Sequence, residues 1–218
     1  MNYTTIENAA AQHGIAIYGG FHGDKSDGLP SGHQTLLMLG PSTNFWTYFK
    51  TTPEYLKGQP DPIDRWSTRI LNKLARDHSA TPFLPFGSAP YAPFFSWALK
   101  TKRAWSSPVG MLVHDITGLM VSYRGALSLC GRLDLPATPK KPCSLCARPC
   151  LSACPVNALS AEHGYNTDVC HAHLSTPAGK TCVSEGCLAR RACPVSTGAN
   201  RTVEQSAHHM SYFHRSSV

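Results

Sequence analysis

The sequence predicts an α+β protein, with a mixed helix–strand domain over residues 1–133 followed by a cysteine-rich module over residues 134–218. Two observations predict it. Up to about residue 130, short apolar runs bounded by Gly, Pro and Asp alternate with stretches patterned every three or four residues. Beyond that point, eight of the nine cysteines crowd between Cys143 and Cys193, and Cys154 and Cys193 stand directly before proline.

Taken in order, Thr4–His13 reads as a short helix, with Thr4 or Thr5 to cap it and Gly14 to end it. IAIYGGF is a strand, and the Gly-, Asp- and Ser-rich segment His22–His33 is a surface loop. QTLLMLGP is continuously apolar, which predicts a strand covered on both faces. STNFWTYFK reads as a helix opened by Ser42, and TTPEYLKGQP as a turn-rich link. The clearest helix of this half is DPIDRWSTRILNKLARDHSA, with Asp61 at its cap and Pro62 at its first position. Ile63, Trp66, Ile70 and Leu74 share one face of it, leaving Asp64 and Arg65 on the solvated side. TPFLPFGSAPYAP is too proline-rich for a helix and too apolar for a solvent linker, so it reads as an extended segment leading to a pocket-lining loop. PFFSWALKTKRAW is a short helix, and SPVGMLVHDITGLMVSYRGAL a β-hairpin turning at Thr117-Gly118.

Composition narrows the function. At 218 residues the chain has room for a substantial core. No run approaches the roughly eighteen apolar residues of a membrane span. Met1–Gly14 has neither a basic start nor a long apolar stretch, so no export signal and a cytoplasmic location are expected. The net charge of +7 contains no Lys/Arg run longer than two, which argues against a nucleic-acid surface.

The cysteines carry the chemistry. Four thiolates hold one iron–sulfur cube, so eight suit two [4Fe–4S] clusters. Cys143, Cys146 and Cys150 lie close enough to wrap one cube, whereas Cys154 follows where a helical turn would aim its sulfur elsewhere. In two-cluster ferredoxins the Cys before proline serves the other cluster. Crossed ligation is therefore expected: Cys143, Cys146, Cys150 and Cys193 on one cluster, and Cys154, Cys170, Cys182 and Cys187 on the other. Zinc also takes four thiolates, but its motifs rarely carry a third and fourth Cys this close with a trailing proline. Disulfides would suit an exported protein. Cys130, in the apolar run ALSLC, reads as a small core residue. Arg148, Arg190 and Arg191 stand where they can offset cluster charge or meet an acidic redox partner, while Lys140 and Lys141 read equally well as a solvated face.

From Ser107 to Pro194 these motifs resemble the iron–sulfur part of epoxyqueuosine reductases and of corrinoid-dependent reductive dehalogenases. In those families a glycine-containing hairpin precedes a C-x2-C-x2-C-x3-C-P motif, a lone Cys and a GC-x2-C-x3-C-P motif. Here the first motif is one residue longer, the lone Cys is Cys170, and GCLARRACP lacks its middle Cys, for which Cys182 stands in. The CLARRACP ending also resembles that of small bacterial dicluster ferredoxin-like proteins. The resemblance implies a nitroreductase-like α/β sandwich, then a dicluster ferredoxin-like module, with cobalamin bound between them. No D-x-H-x-x-G box is present to supply a histidine to cobalt.

Three residues are candidate cofactor contacts. His114, beside Asp115, is either a proton donor or cobalt ligand or a turn histidine satisfied by backbone. Tyr123 and Arg124 precede the cysteines, and Arg124 suits either a corrinoid amide or phosphate or a core carboxylate. His171 and His173 flank Cys170, but eight cysteines suffice without them. PVNALSAEHGYN reads as a ferredoxin strand–turn pair, STPAGKT as a Gly/Pro loop, and HHMSYFH as a packed terminal helix with Met210 and Phe213 inward. Two functions are expected from this. One is an electron carrier working between a donor and an acceptor protein. The other is an oxidoreductase whose clusters reduce a cobalamin held by the N-terminal domain, which is larger than a bare carrier needs.

Overall fold

The computed structural model of the chain describes residues 2–214 and divides into two compact units. Residues up to Ala104, with Ser122–Pro139, form the first; Trp105–Val121, with residues from Lys140 onward, form the second. The segment 105–121 thus groups with the cysteine-bearing residues rather than with its neighbours in sequence.

The chain runs through α1 (Tyr3–Ala11), β1 (Ile15–His22), β2 (Thr35–Pro41), α2 (Phe45–Phe49), α3 (Pro53–Leu56), α4 (Pro62–Asp77), β3 (Thr81–Phe83) and α5 (Phe94–Lys100). It crosses into the second unit through β4 (Ala104–Ser106) and β5 (Leu112–His114), and returns for β6 (Gly125–Leu129). The remainder holds β7 (Leu159–Ser160), β8 (Gly164–Tyr165), α6 (Thr167–Leu174), α7 (Lys180–Glu185), α8 (Leu188–Ala192) and α9 (Val203–Phe213). The protein is α+β, and no helix among the described residues is long and apolar enough to cross a membrane.

The first unit is built on an antiparallel sheet in the order β1-β2-β6-β3. All seven residues of β2 are buried, as its unbroken apolar run requires. α4 forms because Pro62 presets its first turn and because Ile63, Trp66, Ile70 and Leu74 recur on one face, all of them buried. That face meets Phe45 and Phe49, whose rings lie 4.9 and 5.9 Å from Trp66. Cutting Trp66 back to alanine would cost about 3–5 kcal/mol. Arg69 of α4 makes a two-pronged ion pair with Glu54 of α3, at 2.6 and 2.8 Å. Arg65 reaches back to the Pro60 and Glu54 carbonyls and to Gln59, so it clamps the preceding link.

Several local expectations change. α1 is capped by Asn2, whose side chain accepts from the Thr5 N–H, rather than by Thr4 or Thr5. Asp61 does sit at the α4 cap position, but in a left-handed conformation with no side-chain cap bond. α2 begins only at Phe45, after Asn44. The hairpin over residues 107–127 does not form: β5 joins β4, while β6 inserts between β2 and β3. Only the tight turn at His114 and Gly118 survives, as an isolated bridge. STPAGKT is a 3-10 turn (Pro177–Gly179) running into α7 rather than a loop. Cys130 is exposed, since β6 ends at Leu129 and the chain turns outward.

In the second unit, β7 and β8 pair antiparallel, as PVNALSAEHGYN suggests. A small core gathers Val109, Val113, Leu119, Leu159 and Ala189 around Cys150 and Cys193. The terminal helix α9 forms over residues 203–213, capped by Thr202, whose hydroxyl accepts from the Gln205 N–H.

Candidate functional site

The cysteines sit on a succession of tight turns and short helices. Pro142 and Pro149 each open a 3-10 turn, which presents Cys143 and Cys150 respectively. Arg148 takes a left-handed conformation between them, and its backbone N–H donates to the Cys146 sulfur at 3.3 Å. Cys154 accepts from the Ala158 N–H at 3.3 Å. Cys170 lies in α6, whose cap is Asn166, accepting from the Val169 N–H. Cys182 lies in α7. Cys187 and Cys193 stand at opposite ends of α8, which packs on the turn carrying Cys150.

This layout sorts the eight sulfurs into two sets. Cys143, Cys146, Cys150 and Cys193 line one cavity of about 260 Å³ of empty space, walled by Val113 and Leu119. Cys154, Cys170, Cys182 and Cys187 line a second, of about 910 Å³ including its mouth to solvent. Met111, Met120, Met210 and Phe213 supply much of the second wall. Met210 is half-buried on α9, whereas Phe213, expected inward, stays 38% exposed while stacking on Tyr165 at 6.1 Å. The turn bearing Cys150, followed by Cys154, and the helix bearing Cys187 and Cys193 each give one thiol to each cavity. The pattern is a pseudo-twofold exchange.

The electrostatics follow the same partition. Burial first, then neighbouring cysteine charge, pushes the Cys143 and Cys150 thiols up, with Cys193 the strongest such neighbour of both; Lys141 and Arg148 pull Cys143 back down. Burial likewise raises Cys170 and Cys182, with Cys187 and Cys154 adding to it. Thiols packed this densely resist ionisation unless a cation draws off the charge, which is what metal ligation does. No three His, Cys, Asp or Glu side chains among the described residues converge as ligands of a single ion would. A cube requires no such convergence, because each thiolate takes its own corner iron.

Groups outside the cysteine motifs complete the surroundings. The Tyr165 hydroxyl donates to the Cys170 sulfur at 3.1 Å, and burial with the nearby cysteines raises its pKa strongly. Burial lowers the pKa of Arg190, while Cys187 and Tyr165 oppose the shift; Arg190 faces the second cavity. Arg191 is paired with Glu185. Of the histidines beside Cys170, His171 turns toward α9, stacking on Phe213 at 4.6 Å and meeting His214 Nδ1 at 2.9 Å. His173 lines the second cavity. Tyr165 went unsuspected in the sequence; the YN before a lone Cys was its one signal.

The three candidate corrinoid contacts fall in different units. His114 belongs to the second unit, and Tyr123 and Arg124 to the first. His114 is buried, its Nδ1 accepting from the Ile116 and Thr117 N–H groups at 3.3 and 3.4 Å and its Nε2 lying 3.1 Å from Asp115. Arg124 donates to Ser122 Oγ, to the Tyr123 carbonyl and to Asp64 Oδ1, the last at 3.4 Å. Its burial lowers its pKa against the pull of Asp64. Tyr123 packs edge-on against Tyr18 at 6.0 Å. Each of these side chains thus has partners within its own unit.

No family model and no curated protein matches the chain. Among solved structures it is similar to a crystal structure described as selenomethionine-labelled epoxyqueuosine reductase. The match has a TM-score of 0.50 and 14% identity, over 94% of this chain and 68% of the other. At that identity the likeness is one of fold: the chain is built, across nearly all its length, like an epoxyqueuosine reductase.

Proposed function

We propose that the protein is an iron–sulfur redox protein holding two [4Fe–4S] clusters. One takes Cys143, Cys146, Cys150 and Cys193; the other takes Cys154, Cys170, Cys182 and Cys187. The observation that supports this reading most is the sorting of eight thiols into two separate cavities of four. Such clusters accept and release single electrons at potentials set by charge, hydrogen bonds and exposure. The chain's own part is to wall both cavities with apolar side chains and to aim Tyr165 and Arg190 at the second. Ligation by reduced thiolates fits a cytoplasmic site of action.

Anaerobic purification with iron, sulfide, zinc and cobalt assays, then electron paramagnetic resonance of the reduced protein, tests the proposal. About eight irons and eight sulfides per chain are expected, from four of each in two cubes. About four irons would refute the two-cluster assignment, and zinc without sulfide would refute the redox role. A second reading, a reductase working through cobalamin, draws support from the shared fold. Failure of added cobalamin to co-elute with the cluster-loaded protein would dismiss it.

A further inference from the structure

The loop carrying Cys143, Cys146 and Cys150 has an unusual outer surface. Leu145 lies between two of these cysteines, yet its relative exposure is 101%, and Leu151 beyond Cys150 is 48% exposed. Single exposed leucines are ordinary. Here, though, the surrounding chain is charged with one sign only. From Leu135 to Ala161 there is no Asp or Glu, while Lys140, Lys141 and Arg148 are all exposed. Several cations elsewhere are neutralised: Lys73 by Asp77, Lys100 by Asp27, Arg69 by Glu54 and Arg191 by Glu185. Among the described residues, these three have no carboxylate partner. Arg148 also lines the first cavity, together with Cys143 and Cys146.

Resting on the two-cluster reading, we propose that Leu145, framed by Lys140, Lys141 and Arg148, is the docking surface for an acidic one-electron carrier protein. The surface exchanges electrons with the cluster site of Cys143, Cys146, Cys150 and Cys193. Transient redox partners meet over small areas, with an apolar centre and a charged rim that steers the encounter. A fully exposed leucine inside a cationic frame, on the loop that supplies three ligands, has that composition. In the exchange the carrier is oxidised by one electron and one cluster is reduced by one; no bond is made and no proton is transferred.

Stopped-flow reduction of the cluster-loaded full chain by reduced flavodoxin, an acidic flavin carrier, tests the surface. The variants are Lys140→Glu with Lys141→Glu, and separately Leu145→Ser, none of which replaces a proposed ligand. Iron and sulfide content is measured first on each. At low salt the double reversal should slow the second-order rate about tenfold, and Leu145→Ser should slow it at all salt concentrations. For electron delivery to basic cytochrome c, the same reversal should raise the rate, since the sign of steering is inverted. With clusters intact, equal rates for wild type and variants overturn the docking surface alone, as does binding of an RNA oligonucleotide lost by the reversal while flavodoxin rates stay unchanged. A wild-type chain that takes up no iron and sulfide overturns the docking surface together with the reading beneath it.

Discussion

Replacing Gly118 with alanine probes how the second unit holds Cys193 in place. Gly118 sits at φ +54°, and an added Cβ would lie 2.5 Å from the Ser196 backbone nitrogen and 2.8 Å from its Cα and Oγ. Ser196 is three residues past Cys193, and its hydroxyl accepts from the Leu119 N–H at 3.0 Å. On the same face Gly198 approaches the Ile116 carbonyl so closely that it too has no room for a side chain. The turn 116–119 and the turn after Cys193 are thus joined backbone to backbone. The left-handed conformation alone costs a non-glycine residue about 1–2 kcal/mol. Overlap with main-chain atoms, which cannot swing aside, adds about 1–3 kcal/mol. Gly164→Ala is the control, because Gly164 in the same unit has φ +72° with nothing within 4 Å of an added Cβ. Thermal unfolding of both cluster-loaded variants isolates the overlap. Gly118→Ala should melt at least about 4 °C below Gly164→Ala, given some 4–8 °C per kcal/mol for a unit of this size, and should lose iron faster on dilution into chelator. Equal midpoints for the two variants would refute the joined-turn argument.

Other substitutions separate roles. Tyr165→Phe removes the hydrogen bond to Cys170 and should lower the potential of one cluster by about 40 mV, on a differential bond energy of about 1 kcal/mol; a redox titration followed by paramagnetic resonance should find the other cluster unmoved. Cys130→Ser should leave iron content unchanged, whereas Cys187→Ser should remove about half of it, read by iron assay. Arg124→Ala should destabilise the first unit by about 2–3 kcal/mol in urea unfolding, through three lost donors and an unpaired Asp64, without changing iron content. Glu54→Gln should cost about 1 kcal/mol at neutral pH, a modest figure because roughly half of the Arg69 side chain is exposed. The Arg69 guanidinium holds Glu54 below the usual carboxylate range. The pair's contribution is therefore complete above that range and fades as pH falls through the lowered pKa, so the wild-type and variant unfolding midpoints should converge in acid.

What could be read from sequence was local. α4 was legible because its proline, its cap position and four large residues at helical spacing all agree. β2 was legible because a continuous apolar run of strand length has few other fates. Partner choice was not. The apolar residues of β5 and β6 look like two arms of one hairpin, but β6 takes Thr35–Leu39 and Thr81–Phe83 as its neighbours, and nothing within 107–129 encodes that. Arg124 was ambiguous because its carboxylate is sixty positions away on α4. STPAGKT reads as a loop because glycine and proline usually punctuate. Here Pro177 opens a turn, and Gly179 is required by close approach to the His173 carbonyl. The cysteine positions were the most legible feature, since thiol spacing is written into the chain itself. The tyrosine that hydrogen-bonds one of them was hidden by the ordinariness of its residue type.

The segment 105–121 has a further bearing on assembly. The chain passes between its two units three times, after residues 104, 121 and 139, so neither unit exists as a contiguous cassette. A fragment starting at Lys140 would keep all eight thiols yet lack Val109, Val113 and Leu119, which pack around Cys150 and Cys193. Scission at any one crossing would leave the halves covalently tied through the other two. Order of synthesis matters as well. Every strand of the four-stranded sheet emerges before Cys143, and the first cavity gains its fourth thiol only with Cys193. On the two-cluster proposal, loading of the first cavity would therefore come late, on a chain whose first unit already has all of its strands.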